Sequence, residues 1–348
     1  MKNENEIKAF EQLGKLMLAL GQSESWKDYS IGITKSEFEQ LEQLINKQFV
    51  LNGWFTKENV KKSLTALGEL LTEENLNNWL NSYSFKETTI KRIGIIMAGN
   101  IPLVGFHDFI STVLSGNIAV CKLSSDDKTL LPALASHLIT FEPSLKDKIE
   151  FSIGKIGKVD AIIATGSDNS MKYFDQYFGH LPHIFRKNRT SIAILKGNES
   201  KEELELLGKD IFQYFGLGCR NVSHLLIPKG FKIDLFFEAI VDYHNIVNHH
   251  KYANNYDYNK AVYLMNKAEL LDNNFVLLRR TEDLFSPLGM VHYHFYDSEN
   301  EVQNYIDQYK EKLQVIVGKE HTPFGMAQCP SLNDYADGID TIEWLSKL

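Results

Sequence analysis

Cysteine is scarce in this chain: there are three in 348 residues, at positions 121, 219 and 329, far apart and without a CxxC pair. Neither a disulfide framework nor a zinc site is indicated, and a reducing cytoplasm is the expected location. Basic residues are few as well, with 37 Lys and Arg against 45 Asp and Glu, so no positive field suggests a nucleic-acid partner. No apolar run approaches membrane-spanning length, and residues 1–22 lack the basic and apolar blocks of a signal peptide. We expect neither a membrane span nor a secretion signal.

The histidines form no recognisable metal motif. HExxH does not occur, and His249 and His250 are adjacent, so on a helix they would diverge by about 100°. His292 and His294 share a strand face, but no third ligand can be identified. We therefore expect no bound metal.

The standard phosphate-binding motifs are absent too, since neither GxGxxG nor GxxxxGK[ST] occurs. What remains is "ATGSDNSMKYFDQYF", in which a strand ends at Thr165-Gly166-Ser167 and a helix-compatible segment follows. A helix that begins there would direct free backbone N–H groups at an anion. The alternative is an ordinary strand–turn–helix with Ser167 or Asp168 as the N-cap, and the residues alone favour this alternative.

The hydrophobic pattern changes near residue 90. Before it, apolar residues recur every three or four positions in three segments, which predicts helices, and Thr56 is the expected N-cap of the third. After it, short apolar runs alternate with helix-compatible segments, one of them residues 201–218, which indicates an α/β fold with a covered parallel sheet. The predicted strands are "IGIIMAG", "IAVCKL", "DAIIATG", "TSIAIL", "NVSHLLIP" and "LGMVHYHFY".

Cys219 is the candidate nucleophile. A free cysteine is most often an inert core residue, but the setting "FGLGCRNVS" differs from that of a core cysteine. Gly216 and Gly218 break the preceding helix, and Arg220 brings a positive charge that favours the thiolate. Cys121, inside an apolar strand, and Cys329, next to a proline, look structural.

These features together resemble the LuxC-like acyl-CoA reductases, the fatty-acyl-CoA reductase branch of the aldehyde dehydrogenase superfamily. The resemblance runs from about residue 85 to the C-terminus and rests on "AGNIPLVGFHDFISTVLSGNIAVCKLSSDD", "ATGSDNSMKYFDQYFGHLPHIFRKNRTSIAIL", "FGLGCRNVSHLLIP" and "FGMAQCPSLNDYADGIDTIEWL". It implies an aldehyde-dehydrogenase-like α/β fold. Residues 1–190 would hold N-terminal helices and a Rossmann-like NAD(P)-binding domain, and residues 191–320 an α/β catalytic domain. Residues 321–348 would return to the cofactor domain or form an oligomer contact.

The resemblance also implies roles for particular residues. Cys219 matches the superfamily nucleophile, and Asn100 matches the asparagine whose amide holds the developing oxyanion together with the Cys219 backbone N–H. The remaining matches concern the cofactor: Lys122 at the adenosine ribose, Gly166 and Ser167 at the pyrophosphate, and Asp283 and Phe285 at the nicotinamide.

Two departures from the superfamily pattern shape the expected reaction. Hydrolytic members carry a glutamate base in an "ELGGK"-like motif, whereas the matching stretch here is "FRKNRTS", with Arg186, Lys187 and Arg189. An acyl-enzyme should then hydrolyse slowly, and a glutamate placed at Arg186 or Lys187 should restore hydrolysis. Ser125 stands where NAD-preferring members often have a glutamate, so NADPH (or NADH) is expected as the cofactor, although Asp126 and Asp127 follow.

The sequence therefore predicts an acyl-CoA, or other acyl-thioester, reductase that forms an aldehyde through a Cys219 thioester intermediate. Two alternatives remain open at this point: an aldehyde dehydrogenase that produces acid or acyl-CoA, and a catalytically degenerate nucleotide-binding scaffold. His183 is a candidate acid or base, though a structural histidine is the simpler interpretation. A homo-oligomer is expected because superfamily members commonly pair.

Overall fold

The computed structural model describes residues 4–22, 25–26, 28–84, 89–152 and 154–348. The chain divides into two compact units. The first contains Met1–Lys187 and Ser331–Leu348, and the second contains Asn188–Pro330.

The first unit begins with helices, as the hydrophobic pattern predicts. They are α1 (Glu4–Gly21), α2 (Lys35–Leu51), α3 (Lys57–Leu70) and α4 (Glu73–Leu80). Thr56 is the N-cap of α3, since its hydroxyl accepts a hydrogen bond from the Asn59 backbone N–H at 3.2 Å. The apolar side of α1, including Phe10, Leu13 and Met17, is completely buried.

A parallel sheet follows in the order β3-β2-β1-β4-β5. Its elements are β1 (Arg92–Ile96), α5 (Phe106–Leu114), β2 (Ile118–Lys122), α6 (Leu130–Phe141), β3 (Ile149–Phe151), β4 (Ala161–Thr165), α7 (Asp168–Phe178) and β5 (His183–Arg186). The central strands are apolar apart from Arg92 at the start of β1, Lys122 at the end of β2 and Thr165 at the end of β4. Their buried side chains share one hydrophobic core with the N-terminal helices. The chain proceeds from β1 to one side and from β4 to the other, so a topological switch point lies between these strands.

The second unit is built on another sheet, in the order β11-β6-β7-β10-β9-β8. Its elements are β6 (Thr190–Ile194), α8 (Lys201–Phe212), β7 (Val222–Pro228), α9 (Ile233–Ala239), α10 (His250–Met265), β8 (Leu271–Asp272), β9 (Leu277–Arg280), β10 (Met290–Tyr296), α11 (Glu299–Tyr309) and β11 (Leu313–Val317). Only the β8–β9 pair among these strands is antiparallel. Its buried side chains form two separate hydrophobic clusters. The α/β class expected from the sequence is confirmed.

The C-terminal segment, which contains α12 (Thr341–Ser346), belongs to the first unit. His107 Nε2 donates to the Leu332 carbonyl at 2.9 Å, and Trp79 Nε1 donates to the Tyr335 hydroxyl at 2.7 Å. These side chains come from α5 and α4, so the segment is attached to both the sheet layer and the N-terminal helices. Within the described residues, no helix is both long enough and apolar enough to cross a bilayer.

Candidate functional site

The loop that carries Cys219 lies between α8 and β7. The helix predicted over residues 201–218 is too long: α8 ends at Phe212, and Tyr214, Phe215 and Gly216 then take φ values of 52°, 60° and 79°. A left-handed conformation is easy for glycine but costs free energy in a residue with a Cβ atom. Two strained residues therefore stand just before the candidate nucleophile, and such strain persists only where surrounding contacts over-determine it.

Asn221 supplies much of that constraint. Its Nδ2 donates to the carbonyls of Asp210, Ile211 and Gln213 at 3.0, 3.2 and 2.8 Å, and its Oδ1 accepts from the Gly218 backbone N–H at 2.8 Å. The side chain is buried, and one amide thus satisfies the last carbonyls of α8 while fixing the residue before Cys219. An asparagine two positions after a cysteine forms no distinctive pattern, so the sequence alone does not reveal this role.

Ser191 holds the same loop from the sheet side. Its hydroxyl donates to the Cys219 carbonyl at 3.0 Å and accepts from the Val315 backbone N–H at 3.1 Å. Ser191 is completely buried on β6, whereas Cys219 itself is exposed. The arrangement presents an accessible thiol on a backbone that two buried polar side chains immobilise.

The other cysteines differ from each other. Cys121 is buried in β2, and burial raises the pKa of its thiol, which makes it unreactive, as predicted. Cys329 is exposed, so burial does not make its thiol inert, and its structural role stays a prediction.

Arg220 contacts a carbonyl: its Nη1 donates to Ala327 O at 3.2 Å. The segment around Ala327 is in turn bound to α8, because the backbone N–H groups of Gly325 and Ala327 donate to the Asp210 carboxylate at 2.6 and 2.9 Å. Burial raises the pKa of Asp210 to about 6, and these two N–H groups oppose the rise. That Arg220 favours the thiolate stays a prediction.

The segment that contains Asp283 and Phe285 is held by histidines. The Asp283 carbonyl accepts from Nδ1 of His224 at 3.0 Å and of His292 at 2.9 Å. Since a carbonyl can only accept, Nδ1 of each ring carries the proton. Ser223 Oγ donates to the Leu284 carbonyl at 3.4 Å, which brings this segment to the start of β7, just after Cys219 in the chain.

His224 also accepts from Nδ1 of His294, at 2.8 Å from its Nε2. Burial and the neighbouring histidine lower the pKa of His224 to about 3, so the ring is neutral at physiological pH. The two strand histidines that the sequence singles out, His292 and His294, thus belong to a hydrogen-bonded loop support. Across the described ranges, no cluster of His, Cys, Asp and Glu could hold a metal.

In the first unit, the predicted oxyanion donor and the predicted cofactor residues lie at one edge of the sheet. Asn100 follows β1, Lys122 ends β2 with Ser125 just beyond it, and Gly166 and Ser167 follow β4. Because β2, β1 and β4 are parallel neighbours, their carboxyl ends meet at the same edge. This edge includes the switch point, where ligands of open α/β sheets bind.

Gly166 is required by packing. A Cβ atom there would lie 2.7 Å from the Cβ of Ser170, so glycine allows the start of α7 to approach the end of β4. Ser167 is the N-cap of α7, and its hydroxyl accepts from the Ser170 backbone N–H at 3.4 Å. Ser167 is therefore one of the two N-caps that the sequence predicted, and it is exposed. That an anion binds at this helix start stays a prediction.

The "FRKNRTS" stretch contains a buried ion pair. Arg186, 4% exposed, donates to both oxygens of Asp108 at 2.7 and 3.2 Å, to Thr341 Oγ1 at 2.8 Å and to the Ala336 carbonyl at 2.7 Å. A glutamate at this position would leave Asp108 buried without its partner and repelled, so the expectation that Arg186 could be replaced is withdrawn. Lys187, next to it, is exposed.

His183 is exposed on β5. Its Nδ1 donates to the Leu181 carbonyl at 2.8 Å, and its ring stacks on Phe185 with centroids 4.0 Å apart. Both contacts are those of a structural histidine.

We expect Asn221→Ala to destabilise the protein by about 2–4 kcal/mol, because four backbone groups lose their partner in a buried place. It should also lower kcat roughly tenfold, since a small displacement of the loop misplaces the thiol. Thermal denaturation and steady-state kinetics measure the two effects. Asn245→Ala, which removes an exposed asparagine, is the control. Unchanged stability and kcat in Asn221→Ala would contradict the assignment.

The chain matches the model of a known protein family. The family model described as "Acyl-CoA reductase (LuxC)" matches residues 22–229. No curated protein sequence matches the chain.

The solved structures that are similar include three aldehyde dehydrogenases. The first is aldehyde dehydrogenase 21 from Physcomitrella patens with the product succinate, at 11% identity over 97% of this chain and 84% of that one, with a TM-score of 0.63. The second is the P. syringae indole-3-acetaldehyde dehydrogenase with NAD+ and IAA, at 12% identity, 86% and 69% coverage, and a TM-score of 0.61. The third is the Mycobacterium tuberculosis enzyme with NAD+, at 13% identity, 85% and 70% coverage, and a TM-score of 0.59. At these identities the likeness shows the fold, and the expected aldehyde-dehydrogenase-like fold is confirmed.

Proposed function

Because the chain belongs to the acyl-CoA reductase (LuxC) family of the aldehyde dehydrogenase superfamily, we propose that it reduces an acyl-CoA, or another acyl thioester, to the aldehyde. The observation that carries the proposal is the exposed Cys219 on a loop held by buried Asn221 and Ser191. Strained residues and buried polar contacts around an accessible thiol cost free energy. A catalytically degenerate scaffold would not need to maintain them.

Cys219 would act as a thiolate. Its Sγ attacks the thioester carbonyl carbon, the new C–S bond forms, and the bond to CoA breaks so that CoA leaves as a thiol after taking a proton. The Asn100 amide and the Cys219 backbone N–H are proposed to stabilise the oxyanion of each tetrahedral state. After reduction, the thiohemiacetal oxyanion re-forms its C=O bond, the C–Sγ bond breaks, and the Cys219 thiolate and the aldehyde separate.

A nicotinamide nucleotide, when bound, would supply the hydride to the acyl carbon. The first-unit residues fit such a group in one respect: Gly166 lets the start of α7 pack directly after β4, and the backbone N–H groups at this helix start suit a pyrophosphate. Lys122 and Ser125 would hold the adenosine ribose, and Asp283 and Phe285 would lie at the nicotinamide.

Both NADPH and NADH are proposed as donors. Ser125 brings no carboxylate, and Asp127 is buried with one oxygen bound to the Leu103 backbone N–H at 2.7 Å, so it does not face solvent. Asp126 remains exposed nearby. Asp126 and Asp127 are the two acidic residues that would disfavour a ribose 2′-phosphate. Of these, Asp127 is buried and does not lie at the surface.

Reduction is favoured over oxidation to acid because the hydrolytic base is missing. In the "FRKNRTS" stretch, which matches the motif of the superfamily's glutamate, Arg186 forms an ion pair with Asp108, and Lys187 is a cation. Without a carboxylate to activate water, the acyl-enzyme should survive until a hydride or a thiol reaches it.

The experiment is a single turnover with a radiolabelled acyl-CoA. Without cofactor, label should stay on the protein; adding NADPH or NADH, in parallel, should release aldehyde, and adding CoA should return thioester. Lys187→Glu should increase release of free acid, and Lys187→Gln is the matched control without a carboxylate. If wild-type protein releases acid as fast as aldehyde, another base activates water and the assignment as a reductase is wrong.

A further inference from the structure

The loop that bears Asn100 connects β1 to α5. We call residues 99–103 the Asn100 loop. We propose that Ser63, Asn52 and Asp127 are positioning residues that hold this loop, so that the helical segment before the sheet controls the chemical step. The inference rests on the oxyanion role proposed for Asn100.

Two of the contacts come from the N-terminal helices. Ser63, buried on α3, donates from its hydroxyl to the Pro102 carbonyl at 2.8 Å. Asn52, the buried residue that caps α2, donates from Nδ2 to the Asp126 carbonyl at 3.3 Å and lies 3.5 Å from the Gly99 carbonyl. These helices thus contact both ends of the Asn100 loop.

The third contact comes from the segment after β2. Asp127 Oδ2 accepts the Leu103 backbone N–H at 2.7 Å, which is the length of a charge-assisted hydrogen bond. Leu103 is buried and has a φ of 60°, a conformation that costs free energy and that only surrounding contacts can maintain. The carboxylate therefore anchors the strained end of the loop.

Burial of the Asp127 carboxyl group costs free energy. It is 7% exposed, and its Oδ1 has no hydrogen-bond partner among the described residues. Burial raises the pKa of this carboxyl to about 6, although the Leu103 N–H opposes the rise. An apolar residue would avoid that penalty, so stability alone does not account for a carboxyl group here.

Close packing links the two segments. A Cβ atom on Gly99 would lie 2.6 Å from Ser124 Oγ, so the start of the Asn100 loop rests directly on the segment that carries Asp126 and Asp127. A displacement of either segment therefore displaces the other. The side chain of Asn52 reaches a carbonyl in each of them, which fixes the pair against α2.

The prediction is a fall in kcat with unchanged substrate recognition. We expect Ser63→Ala and Asp127→Ala each to lower kcat by about five- to thirtyfold, because a misplaced oxyanion donor weakens transition-state binding. The KM values for acyl-CoA and NADPH should stay within about twofold. Asp127→Asn keeps an oxygen that can accept the Leu103 N–H, so it should restore most of kcat. Ser111→Ala is the matched control, since it removes a buried serine hydroxyl that donates to the His107 carbonyl, within α5.

A double-mutant cycle tests whether the effect passes through Asn100. In an Asn100→Ala background, Asp127→Ala and Ser63→Ala should lower kcat no further. If the losses multiply instead, or if Asp127→Asn is as impaired as Asp127→Ala, the positioning role is wrong.

Hydrogen exchange separates this proposal from the proposed function. Asp127→Ala should increase exchange at the Leu103 amide whether or not the protein reduces acyl-CoA. A wild-type protein that forms no acyl-enzyme would overturn the function while leaving that result in place. Unchanged exchange in Asp127→Ala would overturn the anchoring itself, and Ser63→Ala provides the same measurement if Asp127→Ala does not fold.

Discussion

Cys219→Ser is expected to abolish formation of the acyl-enzyme and to lower kcat by roughly 10³ or more, because an unactivated hydroxyl is a far weaker nucleophile than a thiolate. The fold should tolerate the change, since Cys219 is exposed and its loop is held through backbone atoms by Asn221 and Ser191. Mass spectrometry after mixing with acyl-CoA, without cofactor, would show the adduct on the wild-type chain and none on the variant.

Cys329→Ser is the matched control for that experiment. Cys329 is the other exposed cysteine of the second unit, so it offers the same chemistry at a different place. The control should acylate and turn over as the wild type does, while Cys121→Ser should affect stability more than turnover. An acyl adduct on Cys329, or full activity in Cys219→Ser, would transfer the nucleophile to another residue.

Asn100→Ala is expected to lower kcat by roughly 10²–10³, the usual loss when one oxyanion donor is removed. Affinity for NADPH should change little, because the amide is proposed to act on the developing charge and not on the cofactor. Steady-state kinetics and a separate NADPH titration measure the two quantities.

The outcome that would contradict the assignment is a loss confined to NADPH binding. It would place Asn100 with the cofactor residues that follow β2 and β4 instead of with the reacting carbonyl. Asn198→Ala, which removes an exposed asparagine of the second unit, controls for a general effect of the substitution.

Most of the secondary structure, and the family, could be predicted from short stretches of the sequence. The apolar repeats predicted α1 to α3, Thr56 was found at the start of α3, and the short apolar runs matched strands of the two sheets. These features depend on neighbours within a few positions, so periodicity and capping preferences reveal them. The resemblance to the acyl-CoA reductase family rested on short motifs and is confirmed.

The supports of the candidate site were decided by tertiary structure. Arg186 binds Asp108 and Thr341, Ser63 binds Pro102, and Ser191 binds Cys219, each pair far apart in the chain. The side chains involved are common polar types without a motif, and only the fold determines which backbone group each one reaches. The same holds for the cysteines, because burial depends on what the rest of the chain packs over a residue. Cys121 is buried in the hydrophobic core of the first unit, and Cys329 is exposed.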